Sequence, residues 1–145
     1  MAIALNYIKG ARTMHKIFTI GYSVAPMDLF LETIEGRMIV DVRAKPHSRW
    51  QCKYNKKAMT KMLGEKYISL PDLGGFGDED PEKRKEAILK VKALLETQEV
   101  VLMCAEKDPR KCHRKALAEE ISEGRVKVKH LIAPFKRTAQ ISLLF

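Results

Sequence analysis

The run Met38-Ile39-Val40-Asp41-Val42 is apolar at every position but one, so a strand built from it has no face to offer water. Such a strand needs cover on both sides, which a sheet flanked by helices supplies and a one-sided antiparallel sheet does not. Four further apolar runs follow along the chain: Lys16–Gly21, Tyr67–Leu70, Glu99–Met103 and Val126–Ile132. Each is short and bounded by turn residues, as strands are.

Helical patterns fill the intervals. Pro26 opens one, with Met27, Phe30, Leu31 and Ile34 on a common face and Gly36 as its stop. A second covers about Asn55–Leu63. Asp80-Pro81 has the chemistry of a cap and first turn, and turns Ala87, Ile88, Val91, Leu94 and Leu95 inward. Asp108-Pro109 repeats that start for a helix running to about Ser122, ahead of Gly124. Strands alternating with helices predict an α/β domain: a mostly parallel central sheet of about five strands flanked by helices, Rossmann-like or rhodanese-like.

The 145 residues contain no Gly/Pro/Ser-rich linker, so residues 14–145 read as one domain and residues 1–13 as an N-terminal extension. No apolar run approaches the roughly 20 residues of a membrane span, and Met1–Lys16 lacks a secretory pattern. Three cysteines, Cys52, Cys104 and Cys112, do not make a disulfide scaffold, and a reducing cytoplasm is the expected compartment. Cys104-x7-Cys112-His113 matches no standard metal-ligand spacing, so neither a metal nor a cofactor is expected. The formal net charge of +9 favours anionic partners, nucleic acid or nucleotide. The tail from Ala133 ends in Ile141, Leu143, Leu144 and Phe145, an apolar end suited to the domain itself or to a homodimer partner.

In a parallel sheet with right-handed crossovers, all strand C-termini lie along one edge, where ligands bind. Asp41–Trp50, Gly74–Gly77 and Cys104–Arg114 each follow a strand and are expected at that edge. The first packs Asp41, Arg43, Lys45, His47, Ser48 and Arg49 into a few residues, groups that orient one another and grip an anion. Asp72 with Gly74-Gly75 is expected to make a tight turn that closes one wall of the pocket. The third segment runs from a strand into a helix N-terminus, an anion-binding environment that also lowers a cysteine pKa. There Cys104 is a candidate nucleophile or an inert strand-end cysteine, Arg110 and Arg114 candidate anion ligands, and His113 a candidate acid or base. Cys112 reads as core, and His15, Cys52 and His130 join no constellation.

The series Thr19-Ile20-Gly21-Tyr22-Ser23, Asp41-Val42-Arg43-Ala44-x-Pro46-x-Ser48-Arg49, Leu73-Gly74-Gly75, Met103-Cys104-Ala105-Glu106 and Cys112-His113-Arg114 resembles domain-of-unknown-function family 488. The resemblance covers about residues 16–132 and implies a small archaeal or bacterial α/β domain with no settled activity. It adds Glu106 to the candidate site. A weaker similarity is to rhodanese and cysteine-phosphatase sites, where a similar strand also precedes a cysteine loop. Here the loop Ala105–Pro109 holds Glu106 and Asp108 and no glycine, which opposes a bound phosphate and a low cysteine pKa.

The leading expectation is a site that binds or acts on a phosphate-bearing ligand. Arg43, His47, Ser48, Arg49, Arg110 and Arg114 would bind, and Asp41, Glu106 and His113 would orient groups or move protons. A non-catalytic nucleic-acid-binding module and a thiol enzyme built on Cys104 are the alternatives. Any enzyme here is expected to be a hydrolase or transferase acting on nucleotide or nucleic acid.

Overall fold

The computed structural model describes residues 15–22, 25–47, 51–74, 80–106 and 113–136. Within them lie five strands: β1 (Ile17–Gly21), β2 (Met38–Asp41), β3 (Tyr67–Ser69), β4 (Val100–Cys104) and β5 (Val128–Ile132). The helices are α1 (Met27–Ile34), α2 (Lys56–Leu63), α3 (Pro81–Leu95) and α4 (Arg114–Ser122). All strand pairings are parallel and the order is β3-β2-β4-β1-β5, a single α/β domain as the sequence predicts.

The central strands are covered on both faces. Every residue of β1, β2 and β4 is buried. Alternation sends Ile17, Met38, Val40, Val100, Leu102 and Cys104 to one face, against Ala87, Val91 and Leu95 of α3 and Leu117, Ala118 and Ile121 of α4. Phe18, Ile20, Ile39, Val101, Met103 and Tyr67 go to the other, against Phe30 and Ile34 of α1 and Met59 of α2.

Helix ends follow local chemistry. Asp80 caps α3, its Oδ1 accepting from the Glu82 amide at 2.9 Å, with Pro81 in the first turn. α1 and α4 each end on a left-handed glutamate, Glu35 (φ 50°) and Glu123 (φ 51°), followed by a glycine at φ 73°. The glycines recognised as stops are thus the second residue of the turn, and each glutamate accepts a conformation that glycine usually takes. The expected helix start at Asp108-Pro109 lies outside the described residues, where the described helix begins at Arg114. Residues 1–14, the apolar tail end from Ile141 and Cys112 also lie outside them.

Replacing Leu102, fully buried on the central strand, with Ala is expected to cost about 2–5 kcal/mol, since the covered sheet cannot collapse around the lost volume. Urea denaturation with an unchanged m-value checks this.

Candidate functional site

Strand order sets the geometry of the C-terminal edge. β4 sits between β2 and β1, so the chain after Cys104 emerges between the segments after Asp41 and Gly21. Two amides extend the ladders past the strands: Val42 N donates to Met103 O and Tyr22 N to Cys104 O, both at 3.0 Å. The two segments named by the sequence therefore share one edge. Asp41 and Cys104, however, fall on opposite faces of the sheet.

On the α1/α2 face, Asp41 is completely buried. Its Oδ1 accepts from the Arg43 amide (3.1 Å) and Nε (2.8 Å), and its Oδ2 from Arg43 Nη2 (2.6 Å) and the Tyr67 hydroxyl (2.5 Å). Arg43 also donates through Nη1 to the Tyr22 hydroxyl (3.1 Å) and through Nη2 to the Tyr54 carbonyl (2.5 Å). Tyr22 and Tyr54 stack with ring centroids 4.2 Å apart, and Tyr54 donates from its hydroxyl to Ala25 O at 2.8 Å. Burial works against the Arg43 charge, but the hydrogen bonds and charge of Asp41 outweigh it and hold the guanidinium pKa above its ordinary value. Burial, reinforced by the bond to Asp41, raises the Tyr67 hydroxyl. Burial raises Tyr54 as well. This cluster ties the segments after β1 and β2 to α2 and β3, with most of the Arg43 donors turned inward.

Gly74 closes one side of this arrangement. A Cβ there would stand 2.2 Å from Val42 O and 2.3 Å from Ala44 N, so only glycine lets the turn at Pro71–Leu73 lie against the backbone after β2. The wall expected from Asp72 and Gly74 is present; Gly75–Gly77 lie outside the described residues.

On the α3/α4 face, Cys104 ends β4 within the strand and is 4% exposed. Arg114 opens α4. Because helical Cα–Cβ bonds tilt toward the N-terminus, its long side chain reaches back past the helix start to the strand end. It is the largest fully buried side chain among the described residues. Its Nη1 donates to Cys104 Sγ at 2.8 Å and to the Glu106 carbonyl, toward which the Cys104 thiol also lies, at 3.7 Å. The Glu106 residue is exposed, and His113 is half-buried at the start of α4, accepting the Leu117 amide on its carbonyl.

The remaining candidates separate. His47 is exposed, its amide donating to Lys45 O at 2.7 Å. Ser48, Arg49, Trp50 and Arg110 lie outside the described residues. Among the described residues no three His, Cys, Asp or Glu side chains gather as metal ligands. Tyr22, Tyr54 and Tyr67 were not singled out by the sequence; no residue pattern marks a tyrosine that will meet a distant arginine. His130 does have a partner, which the sequence reading did not foresee. Its Nδ1 lies 2.6 Å from Oγ1 of the buried Thr19 on the neighbouring strand.

Asp41→Ala is expected to destabilise the fold by about 3–5 kcal/mol, because it leaves the buried Arg43 charge unmatched, while the paired Asp41→Ala/Arg43→Met should recover part of the loss. Chemical denaturation of both variants measures it. A second expectation concerns His130, whose pKa is lowered by burial and by the charges of Arg114 and Lys115, against a small opposing effect of Glu119. The unfolded chain then takes up a proton that the folded chain refuses. Stability should be complete above about pH 6.5 and fall as pH drops below it toward the lower folded value. His130→Asn should flatten this limb in denaturation midpoints measured between about pH 7.5 and about pH 5.5.

The family profile described as Domain of unknown function DUF488 matches residues 27–82 and 77–121, more than half of the chain and including both edge segments. No curated protein and no solved structure matches the chain. With that coverage, the chain belongs to the DUF488 family.

Proposed function

We propose that this protein is a thiol-dependent enzyme in which Cys104, held as a thiolate by Arg114, attacks a phosphate-bearing substrate. The supporting observation is the 2.8 Å contact between Arg114 Nη1 and Cys104 Sγ inside the fold. A guanidinium never releases its proton in a protein, so its buried charge favours an anion beside it, and the thiolate is the anion that Cys104 can become. In this reading the thiolate forms a bond to phosphorus, the bond to the leaving oxygen breaks, and His113 or Glu106 delivers the proton that oxygen needs. Water then releases the phosphoryl group, which makes the reaction a hydrolysis, or a second acceptor takes it. Ser48, Arg49 and Arg110 are the sequence's candidates for gripping the anion. Asp41 and Arg43 act as positioning residues, since their bonds to each other and to Tyr22, Tyr54 and Tyr67 shape the wall of the edge. A nucleotide or nucleic acid is the substrate class that the charge favours.

The second reading is a nucleic-acid-binding module without chemistry. The observation in its favour is the net charge of +9.

The two are separated by the rate of Cys104 alkylation against pH in a Cys52→Ser/Cys112→Ser background. The thiol reading expects the rate to reach its plateau well below pH ~8.5, the ordinary cysteine value, and Arg114→Lys to move that plateau upward. A Cys104 that reacts only as an ordinary thiol, with Arg114→Lys unchanged, rejects the thiol reading and leaves the binding module.

A further inference from the structure

Between Asp41 and Glu65 the sequence carries seven lysines and arginines and no aspartate or glutamate. The structure shows what this acid-free stretch builds. Lys53 in the turn before α2, and Lys56, Lys57 and Lys61 on α2, are all exposed, and none forms an ion pair among the described residues. The other helical surface is different in kind. There Arg84 pairs with Glu120 (2.7 Å), Lys92 with Glu123 (2.9 Å) and Lys115 with Glu119 (3.7 Å), and the exposed Lys83 and Lys85 stand among Glu82 and Glu86, so cations and acids are mixed on that surface.

Folding does not explain the α2 lysines. Lys56 and Lys57 occupy the first two positions of the helix, where the macrodipole disfavours cations. The apolar side of α2 is already used: Met59 is fully buried, and Leu63 packs on the same core. A helix that binds a lipid surface presents an apolar face to it, and the free face of α2 offers Met62 alone among large apolar residues. What remains is a row of cations. Lys57 and Lys61 stand four residues apart on α2, where such neighbours are about 5–6 Å apart at Cβ, and Lys53 extends the patch from the turn that precedes the helix. The row begins beside the C-terminal edge of the sheet, where the Lys56 amide donates to Pro46 O at 3.0 Å.

We propose that the exposed face formed by Lys53, Lys56, Lys57 and Lys61 docks the phosphate backbone of a nucleic acid strand, without base readout, alongside the Cys104 edge. The inference rests on the nucleic-acid class of partner named above and not on the chemistry of Cys104. Backbone contacts of this type position a strand and release its counterions, so affinity should depend steeply on salt.

The test compares binding of the full chain to a labelled single strand, a duplex and an RNA of equal length across a salt series. It uses the wild type, Lys56→Glu/Lys57→Glu/Lys61→Glu, and a charge-matched control, Lys83→Glu/Lys85→Glu/Lys90→Glu on α3. The expected result is at least tenfold weaker binding by the α2 variant than by the control, with the log affinity–log salt slope reduced by about two to three units. Its thermal stability should stay close to that of the wild type, since glutamates at 56 and 57 suit the start of the helix and offset the one at 61 in its last turn. Equal loss in the two variants, or none in either, overturns the α2 surface and leaves a nucleic-acid partner standing. A wild type that binds no nucleic acid at low salt overturns both, as does binding confined to vesicles of anionic lipid. Cys104 alkylation in the α2 variant is expected to match the wild type, which keeps the thiol question separate.

Discussion

One buried carboxylate organises the edge of this sheet. Asp41 ends β2 with no exposure to water, and an anion in that position requires cations and donors around it. Arg43 and Tyr67 satisfy it, and Arg43 in turn reaches Tyr22 after β1 and Tyr54 before α2. Segments far apart in sequence are thereby fixed to one another through a single guanidinium. The pair stabilises the fold less than its short distances suggest, because desolvation offsets much of the attraction. What it confers is definition: neither partner can move without leaving the other buried and unmatched.

A second buried arginine performs a different task on the opposite face. Arg43 meets the carboxylate of Asp41, whereas Arg114 meets the sulfur of Cys104. The first arrangement is a lock. The second, in the function proposed above, favours the ionised form of Cys104. β4 lies between β2 and β1, so the backbone of the first arrangement flanks the strand that ends in Cys104. Main-chain hydrogen bonds from Val42 and Tyr22 join the backbone around Asp41 and Arg43 to the end of that strand.

The fold was legible because its strands are apolar without interruption and its helices are marked by Pro26, Asp80-Pro81 and the glycines at 36 and 124. Those signals are local, and local signals survive in a sequence. The edge itself was also legible, since a parallel sheet leaves its connections on one side. What was not legible is the face on which each side chain acts. Asp41 and Cys104 fall on opposite sides because β2 and β4 are paired with Asp41 opposite Met103, one residue before the cysteine, and no periodicity encodes an interstrand register. The same reason hid the tyrosines around Arg43 and the contact of His130 with Thr19, which span between 11 and 111 residues of chain. Arg43 looked like an anion ligand because arginines beside strand ends often are; only packing reveals that Asp41, Tyr22 and Tyr54 engage its donors.

Whether Arg114 keeps Cys104 ionised, as proposed, is read from the 13Cβ chemical shift of labelled cysteine, titrated in the Cys52→Ser/Cys112→Ser protein. The account predicts that the Cys104 signal already has the thiolate position at neutral pH and moves only at a pH well below that of a free cysteine, about 8.5. A signal that stays at the thiol position through neutral pH and titrates at or above that value would contradict it.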